Sequence, residues 1–178
     1  MNNLIAISDF NGKYILPNAL SANKTSLYND SIADAQKEFL ILLLGYHFYY
    51  QLDVAVTASE RETNPVALDQ KWIDLIDGKD VIIDEVTYRY NGLKQLVLIY
   101  AWIYIISKGV ISVADNGLFV ANSENSERID PTVYMVNRWN ELMALIDEPI
   151  SVYQFIEDSI EEYPAYQRSA NLNYRSWL

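Results

Sequence analysis

Eleven consecutive apolar residues, Leu96 to Ile106 (LVLIYAWIYII), constrain this chain more than any other feature. A run of that length is too long for an ordinary strand, and wound into a helix it shows apolar groups on every side. It also falls well short of the roughly 20 residues that a bilayer span needs. The run is therefore expected as a central helix from Leu93 to Lys108, stopped by Gly109 and covered on several sides by other elements. A second apolar stretch, Phe39 to Tyr50, is broken by Gly45 and His47, which argues against a membrane protein.

The covering elements can be read on either side. Ser31 with Asp34 three residues on resembles a capping box, and Ala35, Phe39, Leu42, Leu43, Tyr46 and Tyr50 recur at helical spacing, predicting a helix over 31–56 with a kink at Gly45. Asn64-Pro65 reads as the start of a short helix with Leu68, Trp72, Leu75 and Ile76 on one face and Gly78 as its stop. Between Val81 and Tyr90 the pattern alternates, which predicts a short strand or hairpin with Asp84-Glu85 as turn residues. Beyond the central helix, VISV and LFVA flank Ala114-Asp115-Asn116-Gly117 and predict a second hairpin. The polar stretch 122–130 reads as a loop, leading to a helix at Asp130-Pro131 with Thr132, Val136, Trp139, Met143 and Ile146 on one face. A last helix starts near Ser151, capped through Gln154, and runs Val152, Ile156, Ile160 and Tyr163 to a stop before Pro164. The fold class is mainly α: a bundle of four to five helices with small β-hairpin insertions and extended terminal arms. The organisation expected is an N-terminal arm over 1–28, a helical domain over 29–163 and a C-terminal arm over 164–178.

Several function classes lose their minimum parts. The 178 residues suit one domain, and with no Cys there is neither a disulfide scaffold nor thiol chemistry. His47 is the single His, so Ser-His-Asp triads, HExxH and multi-His metal sites cannot be assembled. A satisfied or interface role suits it better than a general base. No phosphate-cradling glycine motif occurs, and the 122–130 stretch lacks the alternating ligands and central Gly of an EF-hand. A formal charge of −11 disfavours a grip on nucleic acid, which needs clustered Lys and Arg. The first residues lack the basic and apolar parts of a secretory signal, so a cytoplasmic location is expected. No enzyme activity, metal or cofactor is expected.

What remains points to protein contacts. The chain holds fourteen Tyr, four Trp and five Phe, more than a core of this size is expected to absorb, and Tyr and Trp are enriched at interfaces. Glu157 with Glu161, and Asp158 with Glu162, form like-charged pairs four residues apart, read as a solvated acidic face or one that meets a basic partner. The final fifteen residues, PAYQRSANLNYRSWL, have no acidic member and carry Tyr166, Arg168, Tyr174, Arg175, Trp177 and Leu178.

Four ordered patterns, LILLLG at 40–45, KWIDLIDG at 71–78, YNGLKQLVLIYAWIY at 90–104 and NSENSE at 122–127, resemble small head–tail connector proteins of tailed bacteriophages infecting Bacteroidota, the crAss-like group included. The resemblance spans about 30–145. It implies a mostly helical virion subunit with extended arms that forms a cyclic, twelvefold homo-oligomer between the portal and the tail. DNA would pass through that ring without specific binding. The implied partners are the portal protein and a tail or second connector-layer protein, and the implied location is the head–tail junction, after assembly in the host cytoplasm. In that setting Tyr174, Trp177 and Leu178 are expected to anchor on a neighbouring subunit or the next layer, with Arg168 and Arg175 meeting acidic surface. A helical protein-interaction module without ring assembly, and less readily an enzyme built on paired carboxylates, are the other classes compatible with the sequence.

Overall fold

In the computed structural model, which describes residues 3–16, 22–61, 63, 65–113, 131–147, 150–164 and 166, the chain first makes two 3₁₀ turns, Ile7–Asp9 and Gly12–Tyr14. Helices α1 (Ala22–Leu44), α2 (Tyr46–Ser59) and α3 (Gln70–Asp77) follow, then a hairpin of β1 (Lys79–Ile83) and β2 (Val86–Tyr90), then α4 (Leu93–Val113), α5 (Pro131–Asp147) and α6 (Val152–Asp158). It is a mainly α fold, a helical bundle carrying a small antiparallel hairpin, as the sequence predicts. The apolar run forms α4, with α1, α3 and α5 packed on it. Leu96, Val97, Ile99 and Ala101 are among its fully covered residues, and they point around more than one side of the helix. No helix among the described residues is long and apolar enough to cross a membrane.

Boundaries depart from expectation in instructive places. The first helix starts at Ala22, not at Ser31, because its buried stripe reaches back through Ile32 to Tyr28. The predicted boundary at 28 thus falls inside α1. Gly45, at φ +79°, breaks the helix as expected and turns α2 so that its buried face passes to Phe48, Leu52 and Val56. Leu42, Tyr46 and Tyr50, expected on the inward stripe, are left outside. Asn64 lies outside the described residues. Helix α3 begins after Asp69, whose carbonyl accepts the amides of Trp72 and Ile73 at 2.9 and 3.3 Å, and Pro65 sits in irregular chain. Helix α4 continues through Gly109 to Val113, so VISV is helical; one Gly costs only about 1 kcal/mol and apolar residues follow it. The remainder of the predicted second hairpin, and the 122–130 loop, lie outside the described residues.

The N-terminal segment read as an arm, and the first described residues of the C-terminal one, are tied to the body. Residues 3–16 are irregular, with no strand at Leu4 to Ile7, but Ile5, Phe10, Tyr14 and Leu16 are buried. The Leu4 amide donates to Gln36 Oε1 at 2.6 Å, which satisfies a Gln that is only 3% exposed. At the other end α6 is capped as predicted, Ser151 Oγ accepting the Gln154 amide at 2.9 Å, but it ends at Asp158. Continuing it would have stacked Glu157 over Glu161 and Asp158 over Glu162, and tight turns take over instead, with the Tyr163 amide donating to the Ile160 carbonyl at 3.1 Å. Ile160, expected inside, is 44% exposed. Tyr163 and Tyr166 fold back onto Phe48, with ring centroids 5.9 and 5.4 Å away. Trp72 and Phe155 join this group, and Phe155 stacks on Tyr90 at 4.1 Å. The aromatic surplus is therefore largely internal: thirteen aromatic side chains are buried among the described residues, more than the sequence reading allowed.

The hairpin is held at its root by two glycines. Gly78 and Gly92 have φ of +78° and +81°, and a Cβ on Gly78 would lie 2.2 Å from the Tyr90 carbonyl oxygen. A Cβ on Gly92 would lie 2.5 Å from the Gly78 amide and from the Ile76 carbonyl, so the chain entering the hairpin touches the chain leaving it. At the tip, Asp84 and Glu85 both have positive φ, as a two-residue type I′ turn requires. We predict that Gly78→Ala destabilises the protein by more than the roughly 3 kcal/mol of backbone strain alone, as measured by urea unfolding. Gly45→Ala, where nothing lies within 4 Å of the added methyl, should cost only about 1–2 kcal/mol.

A carboxylate clamp fastens the first segment to α5. Glu141 accepts hydrogen bonds from Lys13 Nζ, from Tyr14 Oη at 2.6 Å and from Arg138 Nη1. Burial works to raise the Glu141 carboxyl, but the bonds from Lys13, Tyr14 and Arg138 outweigh it and hold the group below its ordinary value. Such a group stabilises the folded chain above the ordinary carboxylate range of about 4.3, and the contribution disappears as pH falls through the depressed value. Glu141→Gln should lower stability at pH 7 and flatten its decline on acidification below about pH 4, as read by denaturation midpoints across pH.

Candidate interaction surfaces

Helix α5 is covered unevenly. Leu142 and Ile146 in its C-terminal half are fully buried, whereas Met135, Val136 and Trp139 are half-buried. A cleft of about 440 Å³ opens between the N-terminal half of α5, the C-terminal part of α4 and Glu38 of α1. Tyr100, Tyr104 and Trp139 supply its aromatic walls, with Ile103, Met135 and Val136 between them. Tyr100 Oη donates to Glu38 Oε1 at 2.7 Å, and its ring stacks on Phe39 at 4.8 Å. Burial, reinforced by the hydrogen bond to Glu38, pushes the Tyr100 hydroxyl up, so it stays protonated. Lys108 lies over the Tyr104 ring, 4.0 Å from the centroid, and donates to the Tyr104 hydroxyl. The cleft thus combines aromatic faces, one carboxylate and one ammonium. No three His, Cys, Asp or Glu side chains among the described residues are grouped to hold a metal ion.

Two other surfaces are apolar and open. Tyr46, Tyr50 and Val54 follow one another every four residues along α2 and are 67%, 55% and 49% exposed, and Leu42, before the break at Gly45, is 37% exposed. His47 lies exposed beside Tyr46 and Tyr50. On the hairpin, Val86 and Tyr88 share the face of Val81 and Ile83, and Ile82 stands on the opposite face at 72% exposure. Sequence patterning alone misassigned the first surface, because a stripe at helical spacing reads as core until the Gly45 turn is known. It missed the cleft, since Glu38, Tyr104 and Trp139 come from three helices and no local spacing joins them.

The site residues expected from sequence are distributed differently from a single patch. Glu157 lies in the last turn of α6 and Glu161 in the turn beyond the helix, both exposed, no longer one helical face. Tyr166, grouped with the terminal arm, is buried within its own chain against Phe48. Arg168, Tyr174, Arg175, Trp177 and Leu178 lie outside the described residues. A family model matches residues 16–176, from before α1 to beyond α6. The chain belongs to the family of unknown function DUF6712. No curated protein matches the chain, and no solved structure does.

The matched region covers the six α-helices of the described residues and each surface described above, so those surfaces belong to the family's shared region. Tyr46, Phe48 and Tyr50 separate surface from core within five residues. Tyr46→Ser and Tyr50→Ser should each change unfolding free energy by no more than about 0.5 kcal/mol, whereas Phe48→Ala should cost about 3–5 kcal/mol, by chemical denaturation.

Proposed function

We propose that the protein is a structural subunit of a virion ring between portal and tail, a conduit for DNA and a docking platform for tail proteins. The observation that carries this reading is a pair of dissimilar apolar surfaces exposed among the described residues of a strongly charged chain, the Tyr46–Tyr50–Val54 row of α2 and the Val86–Tyr88 face of the hairpin. A ring joins each subunit to the next head to tail, so it needs two unlike faces, whereas a twofold dimer needs one face used twice. The resemblance of residues 30–145 to phage connector proteins supports the same reading. An excess of negative charge, −11 in total, suits a lumen through which DNA must slide, because phosphates are repelled. Partners are further copies of the chain, the portal protein and a tail or second-layer protein, with the exposed Glu157 and Glu161 facing basic surface and the terminal Tyr174, Trp177 and Leu178 anchoring on a neighbour.

Native mass spectrometry of the chain alone and mixed with its portal tests the proposal. A largely monomeric chain that becomes a closed cyclic oligomer on the portal is expected, with Tyr46→Glu abolishing closure while leaving the fold intact by circular dichroism. A one-to-one complex, or single copies away from the portal axis in a virion reconstruction, would show an interaction module in place of a ring subunit. Deletion of 170–178 should leave a folded chain that no longer incorporates.

A further inference from the structure

The cleft between α1, α4 and α5 is built to receive a cation beside an aromatic ring. Tyr100, Tyr104 and Trp139 converge on it, and ring faces attract guanidinium and ammonium groups, most strongly where water is partly excluded. The attraction is already in use, since the Lys108 ammonium lies over Tyr104. The cleft lining carries one carboxylate, Glu38, beside one ammonium, Lys108, and Asp34, one turn before Glu38 on α1, adds a second negative charge that acts on Lys108. Met135 and Val136 extend the apolar floor next to the carboxylate of Glu38. A fitting ligand therefore carries a positive group flanked by aromatic or apolar ones. A planar guanidinium suits the site better than an ammonium, because it can stack on a ring while its N–H groups reach a carboxylate.

The chain contains such a ligand. Tyr166 is fixed against Phe48, and beyond it come twelve residues, QRSANLNYRSWL, with Arg168 and Arg175, no acidic residue, and Tyr174 and Trp177 on either side of the second Arg. Fully extended, they reach about 40 Å, enough to pass from one copy to the next. We propose that the cleft of one copy takes Arg175, flanked by Tyr174 and Trp177, from the C-terminal segment of a neighbouring copy. The guanidinium stacks on Tyr104 or Trp139 and bonds to Glu38, and the flanking rings cover Met135 and Val136. This rests on the ring reading and gives that ring one of its subunit-to-subunit contacts. Lys108 then acts as an internal competitor that keeps the contact weak until many copies are held together.

The probe is a fluorescently labelled synthetic peptide of residues 167–178, titrated by anisotropy into the full-length chain carrying Arg168→Glu and Arg175→Glu, so that its own terminus does not compete. Binding is expected to be weakened tenfold or more by Glu38→Gln, which keeps the size and an acceptor for Tyr100, and by Trp139→Ala. Lys108→Gln should strengthen it several-fold, a gain that a merely structural role for Lys108 would not produce. Absence of peptide binding, indifference to Glu38→Gln and Trp139→Ala, or weakening by Lys108→Gln would each overturn the proposal. Native mass of the unaltered chain with its portal separates the two readings. Rings that form without peptide binding leave the ring reading standing and remove the cleft contact. Peptide binding by a chain that stays monomeric on the portal would place the segment in its own cleft and overturn the neighbour contact together with the ring.

Discussion

Burial of α4 is the constraint on which the rest of the structure depends. A helix apolar on all sides has no face that can be left in water, and each uncovered apolar side chain would forgo roughly 1.5–3 kcal/mol. Its cover must come from three directions, and α1, α3 and α5 provide it. The peripheral features follow from how these helices reach α4. The two glycines at the hairpin root let the end of α3 and the start of α4 lie in contact. The Glu141 clamp holds the N-terminal segment against α5.

The same arrangement decides where surface is left over. Helix α5 closes on α4 through Leu142 and Ile146, while its N-terminal half stands open and leaves the aromatic cleft. Helix α2, redirected at Gly45, buries Phe48 among Trp72, Tyr163 and Tyr166 and turns Tyr46 and Tyr50 outward. The interior is thus rich in Tyr, with hydroxyls such as those of Tyr90 and Tyr163 donating to backbone carbonyls, Leu75 at 3.2 Å and Lys71 at 2.6 Å. That explains how so aromatic a chain can be folded without exposing most of its rings. Among the described residues Tyr46, Tyr50, Tyr88 and Tyr134 are the exposed tyrosines.

Much of this was legible in the sequence where the signal is local. The apolar run, the Asp84-Glu85 turn, the change of direction at Gly45, the stop at Gly78 and the Ser151–Gln154 cap each depend on a few adjacent residues, and each stands where the pattern placed it. The misreadings share a cause. Ser31 looks like a helix start because capping chemistry is local, but Tyr28 and Ile32 find partners in the core and carry the helix back to Ala22. The acidic pairs on α6 look like a helical face, but the helix ends before Glu161 and the chain folds back to bury Tyr163 and Tyr166.

By itself the sequence determined an acidic, mainly helical chain with one central helix, with no Cys and a single His. Periodicity reports which side of an element is apolar, and covalent neighbours set caps and turns, so these are readable without a partner element. Only the tertiary structure decided which apolar residues are core and which are surface, because that depends on the direction in which the chain leaves Gly45 and on how far α5 closes along α4. The cleft has the same origin: Glu38, Tyr104 and Trp139 lie far apart along the chain, and packing three helices together is what brings a carboxylate and two aromatic faces to one opening.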